Sequence, residues 1–155
     1  MFYALLKAVH VLAVVLWVGG MVFAHFFLRP ALATLEPPQR LRLMHAVLGR
    51  FFAAVLVAVG LLLASGLAMI GLAAQSAMPG GGSFQWPWDW VAMTAIGLVM
   101  MGIFGHLRFV LYRRFAAAVA GQAWPVGAAA LAQIRRWVGV NLLLGVLVVA
   151  VVLLF

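Results

Sequence analysis

Residues 51–72 read FFAAVLVAVGLLLASGLAMIGL, an uncharged apolar run. At ~1.5 Å of rise per residue, a helix of this length crosses the ~30 Å hydrocarbon core of a bilayer. Its apolar residues are continuous rather than alternating, so the run reads as a helix and not as a barrel strand. Three other stretches share this character: Tyr3–Leu28, Val91–Leu107 and Val138–Phe155, with Lys7 the single charge among them. The composition agrees, with 68% hydrophobic and 8% charged residues, whereas a soluble domain carries roughly a quarter charged residues. In lipid the backbone must satisfy itself, which leaves helices as the spanning element here. The sequence therefore predicts an all-α integral membrane four-helix bundle. It is one transmembrane domain over residues 1–155, with helices at about 3–28, 43–75, 89–120 and 127–155.

The net charge of +8 is sorted by side, which excludes nucleic acid as the partner and makes the lipid bilayer the surroundings. The first connection carries Arg29, Arg40, Arg42 and Arg50 against Glu36. The third carries Arg108, Arg113, Arg114, Arg135 and Arg136. The second, Gln75–Trp90, has only Asp89. This positive-inside pattern predicts connections one and three in the cytoplasm and both termini outside. Basic residues there fix orientation and meet anionic lipid headgroups. The first apolar run is too long for a signal-peptide core and reads as a retained helix. Cysteine is absent, so thiolate chemistry and disulfides are excluded.

Local signals punctuate the helices. Arg29-Pro30 predicts the end of the first helix, Glu36-Pro37-Pro38 a short turn, and Gly121 the stop of the third. Trp124-Pro125 restarts the chain as a helix. Met78–Ser83 is a Pro/Gly loop, and Trp86, Trp88 and Trp90 resemble an interfacial aromatic belt. Small residues at four-residue spacing, Gly20 with Ala24 and Gly60 with Ala64 and Ala68, predict close helix approach.

Ionisable groups in a bilayer are costly, which makes the four histidines functional candidates. Depth counting puts His25, His45 and His106 toward the cytoplasmic face, and His10 roughly 10 Å in from the other. His25, His106 and Asn141 share a depth and form a candidate polar cluster, with Asn141 as the outer partner of a metal-bound imidazole. The competing reading makes His25 and His106 interfacial groups bonded to Asn141 or to headgroups; for His45 the interfacial reading is preferred. His10, Trp17 and Met21 fall within about 40° of one helix face, so His10 faces the bundle, with Trp17 beside it. Met93 lies at a matching depth, and a His10/Met93 pair suits copper or haem iron. Core packing is the commoner role for a methionine. Helix 1 thus offers His10, Met21 and His25, and helix 3 offers Met93, Met100, Met101 and His106, a ladder of soft ligands suited to Cu(I) passage. Glu36 and Asp89, the only acids, supply no acid/base pair and no Mg or Ca site. Gly80–Gly82 is followed by no lysine and is no phosphate loop. No catalytic residue is assigned.

The runs Lys7-Ala8-Val9-His10, Leu16-Trp17-Val18-Gly19-Gly20, Leu35-Glu36-Pro37-Pro38-Gln39-Arg40 and Ile134-Arg135-Arg136 through Asn141-Leu142 resemble CopD-type, copper-resistance D membrane proteins. The resemblance spans nearly the whole chain. It implies a multi-pass protein of a Gram-negative inner membrane, with both termini periplasmic, that binds copper or takes it up. It also implies a membrane or periplasmic copper partner or a homo-oligomer. A second likeness covers helix 1 only: His10 and Trp17, at this spacing, are similar to the haem-containing protoporphyrinogen oxidase family. That likeness implies the alternative of a haem b redox protein with His10 as axial ligand. That family's second ligand is a lysine on the third helix, whereas Lys7 is the only lysine here, so Met93 or another histidine takes that role. A third reading is a non-catalytic membrane subunit of a larger complex.

Overall fold

The computed structural model describes residues 1–77 and 85–154. The loop expected at Met78–Ser83 and the terminal Phe155 lie outside the described residues. Four long helices carry the fold: α1 Phe2–Thr34, α2 Pro37–Ala77, α3 Trp88–Ala120 and α4 Trp124–Leu154. Each is long and apolar enough to cross a membrane. The chain is a multi-pass membrane protein with four candidate spans. Their outward faces agree, since Leu12, Leu67, Leu143 and Leu153 stand more than half exposed. Such surface belongs against lipid.

The helices run up and down in turn. His10 packs on Gly66 and Gly20 on Phe51, so α1 and α2 are antiparallel. Val18 meets Gly145 and His25 meets Gly139, while Met100 meets Gly145 and His106 meets Trp137, so α1 and α3 both run antiparallel to α4. One end of the bundle gathers Arg29, Arg40, Arg42, Arg108 and Arg135. The other, the tryptophan end, holds Trp88 and Trp90 at the start of α3, where Asp89 complements the helix N-terminus.

Helix bounds depart from the sequence expectation at the prolines. Pro30 does not stop α1. A π-helical stretch, Phe23–Leu28, precedes it, and the Arg29 N–H reaches back to the Ala24 carbonyl. The wider turn lets the chain pass a residue that lacks an N–H, and α1 runs on to Thr34. Pro37 and Pro38 are not the turn but the first turn of α2, where a missing N–H costs nothing. Gly121 ends α3, yet it is Gln122 that takes the left-handed conformation, with φ 53°. Pro125 sits in the first turn of α4, as expected.

The core is aromatic at mid-height. Trp17 meets Phe104 edge-on at 5.8 Å, and Phe104 meets Phe52 at 5.9 Å. Phe52 meets Tyr112 at 5.5 Å, and Tyr112 stacks on His45 at 5.5 Å with 3° between planes. The Tyr112 hydroxyl donates to the His45 carbonyl at 3.1 Å and fills the space that Gly49 leaves open. His45 is thereby a packing residue between α2 and α3. The small-residue stripes split. Gly20 admits Phe51, whereas Gly60 has nothing within 4 Å of a built Cβ and is exposed with Ala64. Among the described residues Gly60 and Ala64 thus face outward rather than a neighbouring helix.

Candidate functional site

His10 is half-buried on α1 and turned onto α2 at Ser65 and Gly66. His10 Nδ1 lies 2.9 Å from Ser65 Oγ. The Ser65 hydroxyl donates to the Leu61 carbonyl at 2.6 Å. That proton is therefore committed, and Ser65 Oγ serves His10 as an acceptor. In the tautomer with the ring proton on Nδ1, Ser65 Oγ accepts it and Nε2 keeps its lone pair. A histidine held this way by a second residue is prepared as a metal ligand. Gly66 lies against the ring, where a Cβ would stand in ordinary contact with His10 Cε1 at 3.5 Å.

Below His10 on the same face come Trp17 and Met21, both buried, as their period required. Met100 is buried opposite them, its Cε toward Gly145. Because Val18 and Met100 share a level, His10 shares one with residues near Met93. Met93 is half-buried at that height on α3. Met101 is also half-buried and packs against the core.

Asn141 is the most enclosed polar group, with no exposed surface, and neither its Nδ2 nor its Oδ1 has a hydrogen-bond partner among the described residues. The structure does not gather His25 and His106 around it. His25 approaches α4 at Gly139, and His106 is exposed and sits edge-on to Trp137 at 5.9 Å. Positions 137 and 139 are about 200° apart on a helix, so the two imidazoles flank α4 on opposite sides. Among the described residues no three His, Asp or Glu side chains gather as a metal-binding group.

His25 instead lines a groove at the arginine end with Arg29, Arg40, Arg135 and Met44. Met44 and Ser65 were not singled out from sequence. Both lie on α2, and the one available signal was Ser65 as the sole hydroxyl in its apolar run.

The copper resistance protein D family matches residues 45–155. The chain belongs to the CopD family. No curated protein and no solved structure matches it. The CopD match takes in Ser65, Met93, Met100, Met101, His106 and Asn141, together with the run from Ile134 to Leu142. His10, Trp17, Met21 and His25 precede it, as do the runs Lys7–Gly20 and Leu35–Arg40. The match associates the chain with copper resistance and lends no support to haem b.

Proposed function

We propose that this CopD-family protein handles copper inside the membrane, binding Cu(I) and passing it between soft ligands of the bundle. His10 is the entry ligand at the tryptophan end. The buried thioethers of Met21 and Met100 are the next partners, about 16 Å further along α1 by helical rise. Imidazole and thioether donors suit Cu(I), and passage needs several weak sites rather than one tight one. Met93 lies level with His10, and His25, Met101 and His106 stand toward the arginine end as later stations. In this reading the arginine end faces the cytoplasm and both termini face the periplasm of an inner membrane. A membrane or periplasmic copper donor supplies the ion.

The observation that carries the proposal is the chain His10–Ser65–Leu61, at the head of a helix face that continues through Trp17 to the buried thioether of Met21. The test quantifies copper and iron in detergent-purified protein, with optical spectra of oxidised and reduced samples, and then titrates Cu(I). The expected result is copper bound without b-type bands, and lost in His10→Ala. Unchanged Cu(I) binding and copper uptake in His10→Ala would sink the proposal. Stoichiometric iron with b-type bands would replace copper with haem.

A further inference from the structure

A groove of about 390 Å³ opens at the arginine end between α1, α2 and α4. Its walls carry Arg29 from α1, Arg40 from α2 and Arg135 from α4, with His25 beside them. Its floor is apolar, formed by Leu41, Leu48 and Val138, all buried. No acidic residue lines it. Arg135 lies within electrostatic reach of both Arg29 and Arg40.

Three guanidiniums brought together by three helices repel one another, and the repulsion grows as water is removed. Among the described residues no carboxylate lines the walls to offset it. An anion seated between the arginines would, and the guanidinium forks select its geometry. Planar forks match the oxygens of a phosphate. The floor adds a second demand. Leucine and valine side chains offer a free anion nothing, but they suit an acyl chain. Phe26 and Phe27, next to His25 on α1, stand 60% and 63% exposed toward the surrounding lipid.

We propose that this groove binds the phosphate headgroup of an anionic phospholipid, with the three arginines on the phosphate and an acyl chain along the apolar floor. The site is independent of the copper reading and stands or falls without it. It does more than a general attraction of basic loops to a membrane surface, because it names which arginines act and which do not. Arg113 and Arg114 are exposed at the same end but line no wall.

The test is native mass spectrometry of the full chain in detergent, with phosphatidylglycerol, phosphatidylcholine or inorganic phosphate added. Phosphatidylglycerol is expected to be retained at least ~tenfold better than phosphatidylcholine. The pair Arg40→Gln with Arg135→Gln is expected to abolish that preference, and Arg113→Gln with Arg114→Gln to preserve it. If the first pair does not fold, Arg40→Lys with Arg135→Lys keeps the charge and removes the forks, and retention should drop several-fold. Equal retention of the two lipids overturns the proposal. So does equal loss in both glutamine pairs, which would mean diffuse surface charge, or wild-type retention in the lysine pair. Inorganic phosphate binding as tightly as the lipid would reassign the groove to a free anion.

Discussion

Ser65 and Asn141 are the two buried polar side chains of the described bundle, at 3% and 0% exposure, and they are held in opposite ways. Ser65 donates to a carbonyl of its own helix and stands 2.9 Å from His10 Nδ1, where it can accept the ring proton. Asn141 uses neither its donors nor its acceptor within the described residues. A serine in an apolar helix satisfies itself locally, four residues back, and is then free to hold a partner from elsewhere. The Asn141 amide makes no such local bond among the described residues, so its placement in the core costs free energy unless something reaches it. The first polar group is satisfied across two helices, and the second is not satisfied among the described residues.

The largest effect should come from breaking the satisfied member. Ser65→Ala removes the acceptor that fixes the His10 tautomer. Loss of such an outer partner typically weakens metal binding by roughly 10–100-fold. Cu(I) titration of the purified variant measures this directly, and Ser65→Thr, which keeps a hydroxyl, should restore most of it. If Ser65→Ala binds copper as the parent does, the hydrogen bond serves packing alone.

Replacing the unsatisfied member should act in the other direction. Asn141→Leu removes a buried unpaired amide, relieving about 1–3 kcal/mol. At roughly 2–4 °C per kcal/mol for a chain of this size, the Tm should rise by several degrees. Thermal melts in detergent with and without Cu(I) test this. A fall of similar size would mean that the amide has a partner in the membrane, whether a lipid, a second chain or the ion itself.

These two residues also show what the sequence could and could not reveal. The helices were legible, because uncharged runs such as Phe51–Leu72 admit no other spanning structure. The inward stripe His10, Trp17, Met21 was legible from its period. Pro30 misled, because the π-helical stretch Phe23–Leu28 carries the helix past a residue that lacks an N–H, and no residue type in the sequence announces such a stretch. The expected cluster of His25, His106 and Asn141 rested on depth counted along each helix. Depth gives height in the bilayer but no direction around the axis. The two histidines turned out to share a height and not a side. Ser65 was passed over for the same reason, since its partner lies 55 residues away.

Close packing near the unsatisfied amide gives a smaller test. Gly145 is one turn from Asn141, and a Cβ there would stand 2.9 Å from Val18 Cγ2 and 3.2 Å from Met100 Cε. Gly145→Ala should therefore destabilise by about 1 kcal/mol, at the low end for overpacking. Gly60→Ala, with nothing within 4 Å, should be neutral or slightly stabilising. Equal melting temperatures for the two variants would mean that α1, α3 and α4 separate readily at this level, leaving room for Asn141 to find a partner.

The smallest expected effect belongs to His106, which separates a satisfied ligand from a merely present one. It lies within the CopD match and at the depth of a candidate ligand, and both facts recommend it. Yet it is exposed, it lies across α4 from His25, and it sits edge-on to the ring of Trp137. An imidazole with no fixed tautomer and no second ligand beside it is at most a transient station for a passing ion. His106→Ala should therefore change Cu(I) affinity of the purified protein less than about twofold, against the 10–100-fold expected where an outer partner is lost. A loss in His106→Ala as large as in Ser65→Ala would reverse the ranking. It would mean that the ion is held at the arginine end, and that preparation of the imidazole by a neighbour is not what selects the site.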